Sequence, residues 1–259
     1  PGMANSTICN YSTLSFTNAG NNASCDANQS AGGSIGSYAI AQSMPGVAAS
    51  FPVDTTDSSR NFGNNASIDL SANNLQGIYR ATGNNVTING GVEGSMIGDP
   101  DDPNTRSKWI VINAPTADVT INGNIRYTDK KLTSIDQIPQ IIIIANNIKI
   151  AHNVTKVDAW LVAGEYINTC STYNNGTTLP IGADLDSNMC VSKLTINGPV
   201  MAQKIYLRRT FGSGVGLDHS GDPAEVFNLR ADAYLWAAAR ASSNGQVYTI
   251  KTIELPPRF

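Results

Sequence analysis

Apolar and polar residues alternate in short bursts along this chain, and the bursts resemble one another. Asn85-Val-Thr-Ile-Asn-Gly90, Asp118-Val-Thr-Ile-Asn-Gly123, Asn147-Ile-Lys-Ile-Ala151 and Lys193-Leu-Thr-Ile-Asn-Gly198 are variants of one phrase. In each, every second residue is apolar, as in Val86 and Ile88 against Thr87 and Asn89, so each predicts a strand with one buried face. Ile88 to Ile121 is 33 residues, Ile121 to Ile150 is 29 and Ile150 to Ile196 is 46; without the stretch between Cys170 and Cys190 the last approaches the others. The underlying period of roughly 25 to 30 residues is that of one supersecondary unit per repeat.

Asn-Gly closes three phrases, and glycine's tolerance of positive φ lets the chain turn there. Further strand-like runs follow at Asn124–Tyr127, Val157–Ala163 and Pro199–Leu207. The pattern predicts an all-β fold, a parallel β-solenoid (β-helix) whose turns stack in register, with Asn89, Asn122 and Asn197 forming a ladder of amides. Ile141 to Ile144 predicts a central strand buried on both faces, too short to span a bilayer.

Three regions follow. Residues 1–65, rich in Asn, Ser, Gly and Ala, read as a cap or an arm that orders against a neighbouring subunit, with one candidate strand at Leu14–Thr17. Residues 66–210 carry the repeats, beginning at Ala66-Ser-Ile-Asp-Leu70, with inserts at 95–108 and 169–192. Residues 211–259 change in kind. Asp222-Pro-Ala-Glu225 has the form of a helix start, and Val226, Leu229, Ala233 and Trp236 form one apolar stripe, so one or two short helices are expected between Pro223 and Ala241. A terminal strand is expected at Gln246–Glu254.

Charge narrows the partners. Only 14% of the 259 residues are charged and the net charge is −3, so affinity for nucleic acid or an anionic membrane has no electrostatic basis. The four cysteines fall as two local pairs, Cys9 with Cys25 and Cys170 with Cys190, spaced too widely for a zinc site. Disulfides closing two loops, each worth about 3 kcal/mol by the chain-entropy estimate, imply an oxidising setting, extracellular or at the cell surface. The chain starts at Pro1 without a signal segment, which reads as a processed chain or the end of a longer one.

Eight Asn-X-Ser/Thr triplets occur. Asn85 belongs to a repeat phrase and Asn153 to an expected corner; Asn5, Asn10, Asn22, Asn28, Asn65 and Asn175 remain as glycan acceptors for a eukaryotic or archaeal exported protein, although an Asn- and Thr-rich chain yields many such triplets by chance. Calcium is the candidate ligand at Asp184, Asp186 and Asn188, which offer oxygens at alternate positions but lack the following glycine and distant glutamate of a calcium loop. Asp99, Asp101, Asp102 and Asn104 form a second, proline-bounded candidate; no other cofactor is indicated.

The chemistry of catalysis is thin. Asp101-Asp102 sits in a proline-bounded loop, only His152 and His219 could serve as an imidazole base, and His152 reads as a polar turn residue. Arg208-Arg209 reads as solvated or interfacial.

Three stretches carry a resemblance. Ile138-Pro-Gln-Ile-Ile-Ile-Ile144 through Val157-Asp-Ala-Trp-Leu161, Leu194-Thr-Ile-Asn-Gly-Pro199 to Leu207-Arg-Arg-Thr210, and Glu225-Val-Phe-Asn-Leu-Arg230 to Tyr234-Leu-Trp236, with a terminal Leu-Pro-Pro-Arg-Phe259, resemble the C-terminal region of large exported surface proteins of ultrasmall, host-dependent bacteria of the candidate phyla radiation. The resemblance covers roughly the last half of the chain and implies a cell-surface structural or adhesive role.

The leading expectation is therefore a non-enzymatic exported structural protein that assembles with copies of itself into a surface layer or filament. The alternative is a surface adhesin or glycan-binding module that meets glycans or a host surface through Tyr127, Trp160 or Tyr206. A polysaccharide lyase or hydrolase is third.

Overall fold

Alternation along Gln140–Ile150 places Ile141 and Ile143 on one side of a strand and Ile142 and Ile144 on the other, and all four are fully buried. A strand of this kind needs apolar cover on both faces, and the rest of the fold supplies it. The computed structural model describes residues 44–243 apart from 50, 54, 71–74, 82, 84, 91–95, 104, 187 and 213–221. Cys9, Cys25, the glycan candidates before Asn65, the Leu14–Thr17 strand and the Gln246–Glu254 strand lie outside the described residues.

In chain order the strands are β1 (Asn61–Phe62), β2 (Ala66–Ile68), β3 (Gly77–Ala81), β4 (Asn85–Ile88), β5 (Trp109–Ile121), β6 (Gln140–Ile150), β7 (Lys156–Asp158), β8 (Trp160–Asn168), β9 (Leu194–Asn197), β10 (Val200–Met201), β11 (Lys204–Tyr206) and β12 (Glu225–Asn228). Two helices flank them, α1 (Met44–Ala49) and α2 (Ala231–Ser243). A nine-stranded sheet follows the order β1-β3-β5-β6-β8-β10, with β2 and β4 alongside β5 and with β11 on β8. A three-stranded sheet has the order β12-β9-β7. Every pairing between named strands is parallel.

The expected β-solenoid is not what forms: the strands make stacked sheets. The repeat phrases do not occupy equivalent places. The first three align in one sheet, Asn85 with Asp118 and Ile88 with Ile121 on β4 and β5, and Asp118 with Asn147 and Ile121 with Ile150 on β5 and β6. The fourth is β9, which lies in the other sheet between β7 and β12. The sheet containing β6 is a layer sandwiched between the common core and the helices, whereas the wall of an open coil would leave one face to water.

The long strands bend rather than break. Between Ala114↔Ala145 and Asp118↔Asn147 three residues of β5, Pro115 to Ala117, oppose Asn146 alone. Pro115 has no amide hydrogen to give the ladder, so the irregularity falls where pairing would fail anyway. On the other side of β6, Asn146 opposes Gly164 and Glu165. A Cβ on Gly164 would stand 2.7 Å from the Met44 methyl carbon, so this position is left empty for α1.

The inner faces of both sheets meet in one cluster that includes Val86, Ile110, Ile121, Ile143, Ile167 and Ile196. The outer face of the central strands carries a second cluster of Val111, Ile142, Ile144 and Val162, covered by Met44, Val47 and Ala48 of α1 and Trp236 of α2. Asn113 fastens α1 by donating from Nδ2 to the carbonyls of Ala48 and Phe51, 2.9 Å each. Trp109 meets Trp236 with ring centroids 6.2 Å apart.

Two further expectations change. Asp222-Pro-Ala-Glu225 does not start a helix: Glu225 opens β12, whose Val226 pairs with Thr195, and α2 begins at Ala231. Ala233 and Trp236 of the anticipated stripe are buried, while Leu229 is 65% exposed. Asn89, Asn122 and Asn197 do not form one ladder, because Asn197 lies in the other sheet; Asn89 donates to Ser67 Oγ (2.7 Å), and Asn197 joins a different row described below. The Asn-Gly turns serve close approach as much as φ. Gly90 has φ +70°, and a Cβ there would lie 2.2 Å from the Asn124 carbonyl oxygen. At Gly123, where a Cβ would lie 2.1 Å from the Asn89 carbonyl oxygen, space alone excludes a side chain.

Truncating the doubly buried strand tests this arrangement. Ile143→Ala is expected to cost about 2–5 kcal/mol in denaturant unfolding, and Ile142→Ala, on the helix side, a similar amount. A cost below 1 kcal/mol for Ile142→Ala would mean the helices do not cover that face.

Candidate functional site

At one end of the fold, apolar side chains that continue the core stand exposed. Ile205 on β11 pairs in register with Ile167, and Phe227 on β12 with Ile196, so both continue columns of fully buried residues. Yet Ile205 and Phe227 are each 41% exposed, and Leu207 and Leu229 just after them more so. β10, β11 and β12 are edge strands among the described residues, each paired on one side only. At the opposite end β1 and β2 are likewise paired on one side only.

The exposed end is held stiffly from beneath. Glu225 Oε1 accepts from Thr169 Oγ1 (2.8 Å) and from the amides of Arg208 and Arg209 (2.9 Å each), so the first residue of β12 is tied to the chain just after β11. Arg208 and Arg209 are both 7% exposed, a correction to their reading as solvated groups. The Arg209 guanidinium spends its donors on backbone carbonyls, those of Ala151 (2.9 Å), His152 (2.5 Å) and Thr169 (2.8 Å), and burial pushes its pKa down to about 10, with Glu225 opposing. Arg208 reaches the other way, to the carbonyls of Pro180 (2.8 Å) and Ala183 (3.0 Å).

Those carbonyls belong to an insert closed by the Cys170–Cys190 disulfide and packed on Leu179. The disulfide is consistent with an extracellular protein in an oxidising environment. No helix among the described residues is long and apolar enough to cross a membrane. Asp184, Asp186 and Asn188 are exposed on the insert. Asp186 Oδ1 accepts from the Asn188 amide (2.8 Å) and the Asn188 carbonyl accepts from Asn174 Nδ2 (2.9 Å), so Asp186 and the Asn188 backbone take part in a turn. Asn175, also exposed, folds back to accept from the amide and hydroxyl of Thr177. Asn65 is exposed with φ +54°.

The second acidic loop already holds a cation. Lys130 Nζ lies 2.8 Å from both oxygens of Asp99 and 2.9 Å from Asp101, which lowers the pKa of Asp99 and raises that of Lys130. Among the described residues no group of three or more His, Cys, Asp or Glu is placed to share a metal ion.

The aromatic residues expected to face a ligand are otherwise engaged. Tyr127 is 4% exposed, with its hydroxyl accepting from the Ile141 amide (2.5 Å) and its ring under the Arg230 guanidinium at 4.9 Å. Burial raises its pKa. Trp160 packs into the outer cluster, and Tyr206 meets Tyr166 edge-on at 5.6 Å.

A buried carboxylate organises this region and was not marked in the sequence. Asp158, fully buried, accepts from the Tyr127 amide (2.7 Å) and from Asn197 Nδ2 (2.6 Å), with Lys156 at 3.4 Å and Arg230 at 3.8 Å. Burial alone would lower the Arg230 pKa; the hydrogen bond and charge of Asp232 and the charge of Asp158 outweigh it, and the net shift is upward. The only hint in the sequence was an acidic residue ending the run Lys156-Val-Asp158.

Removing the buried guanidinium leaves carbonyls without donors, so Arg209→Met is expected to lower stability by about 3 kcal/mol in denaturant unfolding. Arg208→Met is expected to spare the sheets and speed hydrogen exchange only in residues 171–189. A pH effect also follows. His152, whose Nδ1 lies 2.9 Å from Thr172 Oγ1, has its pKa lowered from 6.5 by burial and then by the Arg209 charge. The unfolded chain therefore takes up this proton first, so stability falls as pH drops from about 6.5 towards the folded value and is level below it. His152→Gln is expected to flatten that part of the pH dependence; an unchanged profile contradicts it.

Comparison of the chain with protein families, with curated proteins and with solved structures returns no match in any of the three.

Proposed function

We propose that this protein is an exported structural subunit that assembles head to tail with copies of itself into a surface layer or extracellular filament. The observation that carries the reading is the open end of the core, where Ile205 and Phe227 continue buried columns but stand 41% exposed on edge strands. An edge strand offers unpaired amides and carbonyls to another strand, and apolar residues in register with a core add the burial that makes such pairing favourable.

The occupant is argued from the sheet itself. Because every pairing between named strands is parallel, the β1 and β2 end and the β10, β11 and β12 end are unlike surfaces. Contact between unlike ends of identical subunits is heterologous and propagates without closing unless the rotation forms a ring. β12 and the chain after β11 are braced through Glu225 and Arg209, so a second copy would meet a preformed surface and lose little ordering entropy on docking. The Cys170–Cys190 disulfide agrees with export.

Electron microscopy and sedimentation over a concentration series test this. Wild-type protein is expected to form polymers of regular axial repeat, and Ile205→Lys with Phe227→Lys to remain monomeric with an unchanged circular dichroism spectrum. Monodisperse wild-type monomers at every concentration, or a closed dimer and nothing larger, contradict the proposal.

A further inference from the structure

The three-stranded sheet carries on its outer side a groove of about 610 Å³ whose described lining residues are all of polar or charged type. Strand register sets its order. Lys156 pairs with Thr195, and Asp158, Asn197 and Asn228 stand side by side on β7, β9 and β12. Their side chains form a directed row: Asn228 Nδ2 donates to Asn197 Oδ1 (2.9 Å), and Asn197 Nδ2 donates to the buried Asp158 (2.6 Å). Each amide is thereby held in one orientation before any ligand arrives. At the other end of the groove Asn124 Oδ1 accepts from the amides of Thr155 (2.8 Å) and Lys156 (3.0 Å), fixing the loop that bears Arg126.

Charge gives the groove its sign. Arg126 and Lys156 line it and, among the described residues, no carboxylate does, although the chain as a whole carries net charge −3. Asp158 lies beneath, fully buried, accepting from the Tyr127 amide and Asn197 Nδ2 and standing 3.4 Å from Lys156 Nζ, so Lys156 is shared with it and Arg126 carries the groove's unshared charge. Arg126 forms no ion pair among the described residues, and a guanidinium presents a planar fork that matches a carboxylate. No aromatic ring among the described residues lines the groove, so recognition there rests on charge and hydrogen bonds rather than on stacking against a sugar face.

We propose that this groove binds an extended, carboxylate-bearing polysaccharide, a polyuronate, laid across the strands. Polar side chains repeat along it at the strand spacing, about 4.8 Å, close to the rise of one sugar residue along an extended glycan. Arg126 and Lys156 take carboxylates, while the oriented amides of Asn197 and Asn228 with the Thr195 hydroxyl take ring hydroxyls. The two cations can be tested apart from the open end of the core, because they lie on the β7 side of the sheet and the exposed apolar residues on β11 and β12, where Asn228 alone joins the groove.

Isothermal titration of the full chain with oligogalacturonate, dextran sulfate and neutral dextran decides the matter. Oligogalacturonate is expected to bind, neutral dextran not to bind, and dextran sulfate to bind more weakly. Arg126→Gln is expected to weaken oligogalacturonate binding at least tenfold, and Arg126→Gln with Lys156→Gln to abolish it, both with unchanged polymer formation. Arg126→Gln alone guards against misfolding, since Lys156 also faces Asp158. No binding of oligogalacturonate by wild type, equal binding by Arg126→Gln, or tighter binding of dextran sulfate each overturns the proposal, and none of these touches the assembly reading.

Discussion

Ile141 to Ile144 alternate across β6, and because all four are fully buried the sheet around them must be covered twice. The inner pair meets the cluster shared with β7 and β9, and the outer pair meets α1 and α2. Burying these four side chains contributes roughly 1.5–3 kcal/mol for each. The other features follow from holding that layer in place. Asn113 fastens α1, Trp109 meets Trp236 of α2, and Gly164 gives up its side chain so that Met44 can approach.

Parallel strands without crossover helices leave long connections, and buried ions pin several of them. Arg209 gathers the carbonyls after β6 and β8, Arg208 holds the disulfide insert, and Glu225 joins the two arginine amides to β12. Asp158 does the same for the start of α2 through Arg230 and for the loop before β7 through the Tyr127 amide. Each of these charges is stable in the interior only because hydrogen bonds surround it. The result is that both surfaces given a role here, the open end of the core and the groove over the three-stranded sheet, rest on rigid supports.

Much of the local structure was legible in the sequence. Period-2 alternation located β4, the second half of β5, β6 and β9, because alternation reports which side of a strand is buried. Four consecutive isoleucines announced a strand covered on both faces, and the spacing of Cys170 and Cys190 announced their bond. Alternation does not encode the partner, however, so near-identical phrases were assigned to one stack although β9 joins a different sheet. The helix-start signature at Asp222 failed for a tertiary reason: the Glu225 carboxylate is drawn to Thr169 and two arginine amides instead of back to its own segment. Arg209 was read as a surface residue because its carbonyl partners lie 40 to 58 residues earlier, beyond any local pattern. The groove was invisible for the same reason, since β7, β9 and β12 meet only in the folded chain.

The central claim is that β6 is buried on both faces and sits at the middle of a parallel layered sheet. Residue-resolved hydrogen exchange in the native protein tests it most directly. The account predicts that the amides of Ile141 to Ile144, with their neighbours in β5 and β8, exchange only through global unfolding, while those of β11 and β12 exchange through smaller openings. Exchange of Ile142 and Ile144 as fast as that of the edge strands would show that the helix-covered face is open, and would contradict the account.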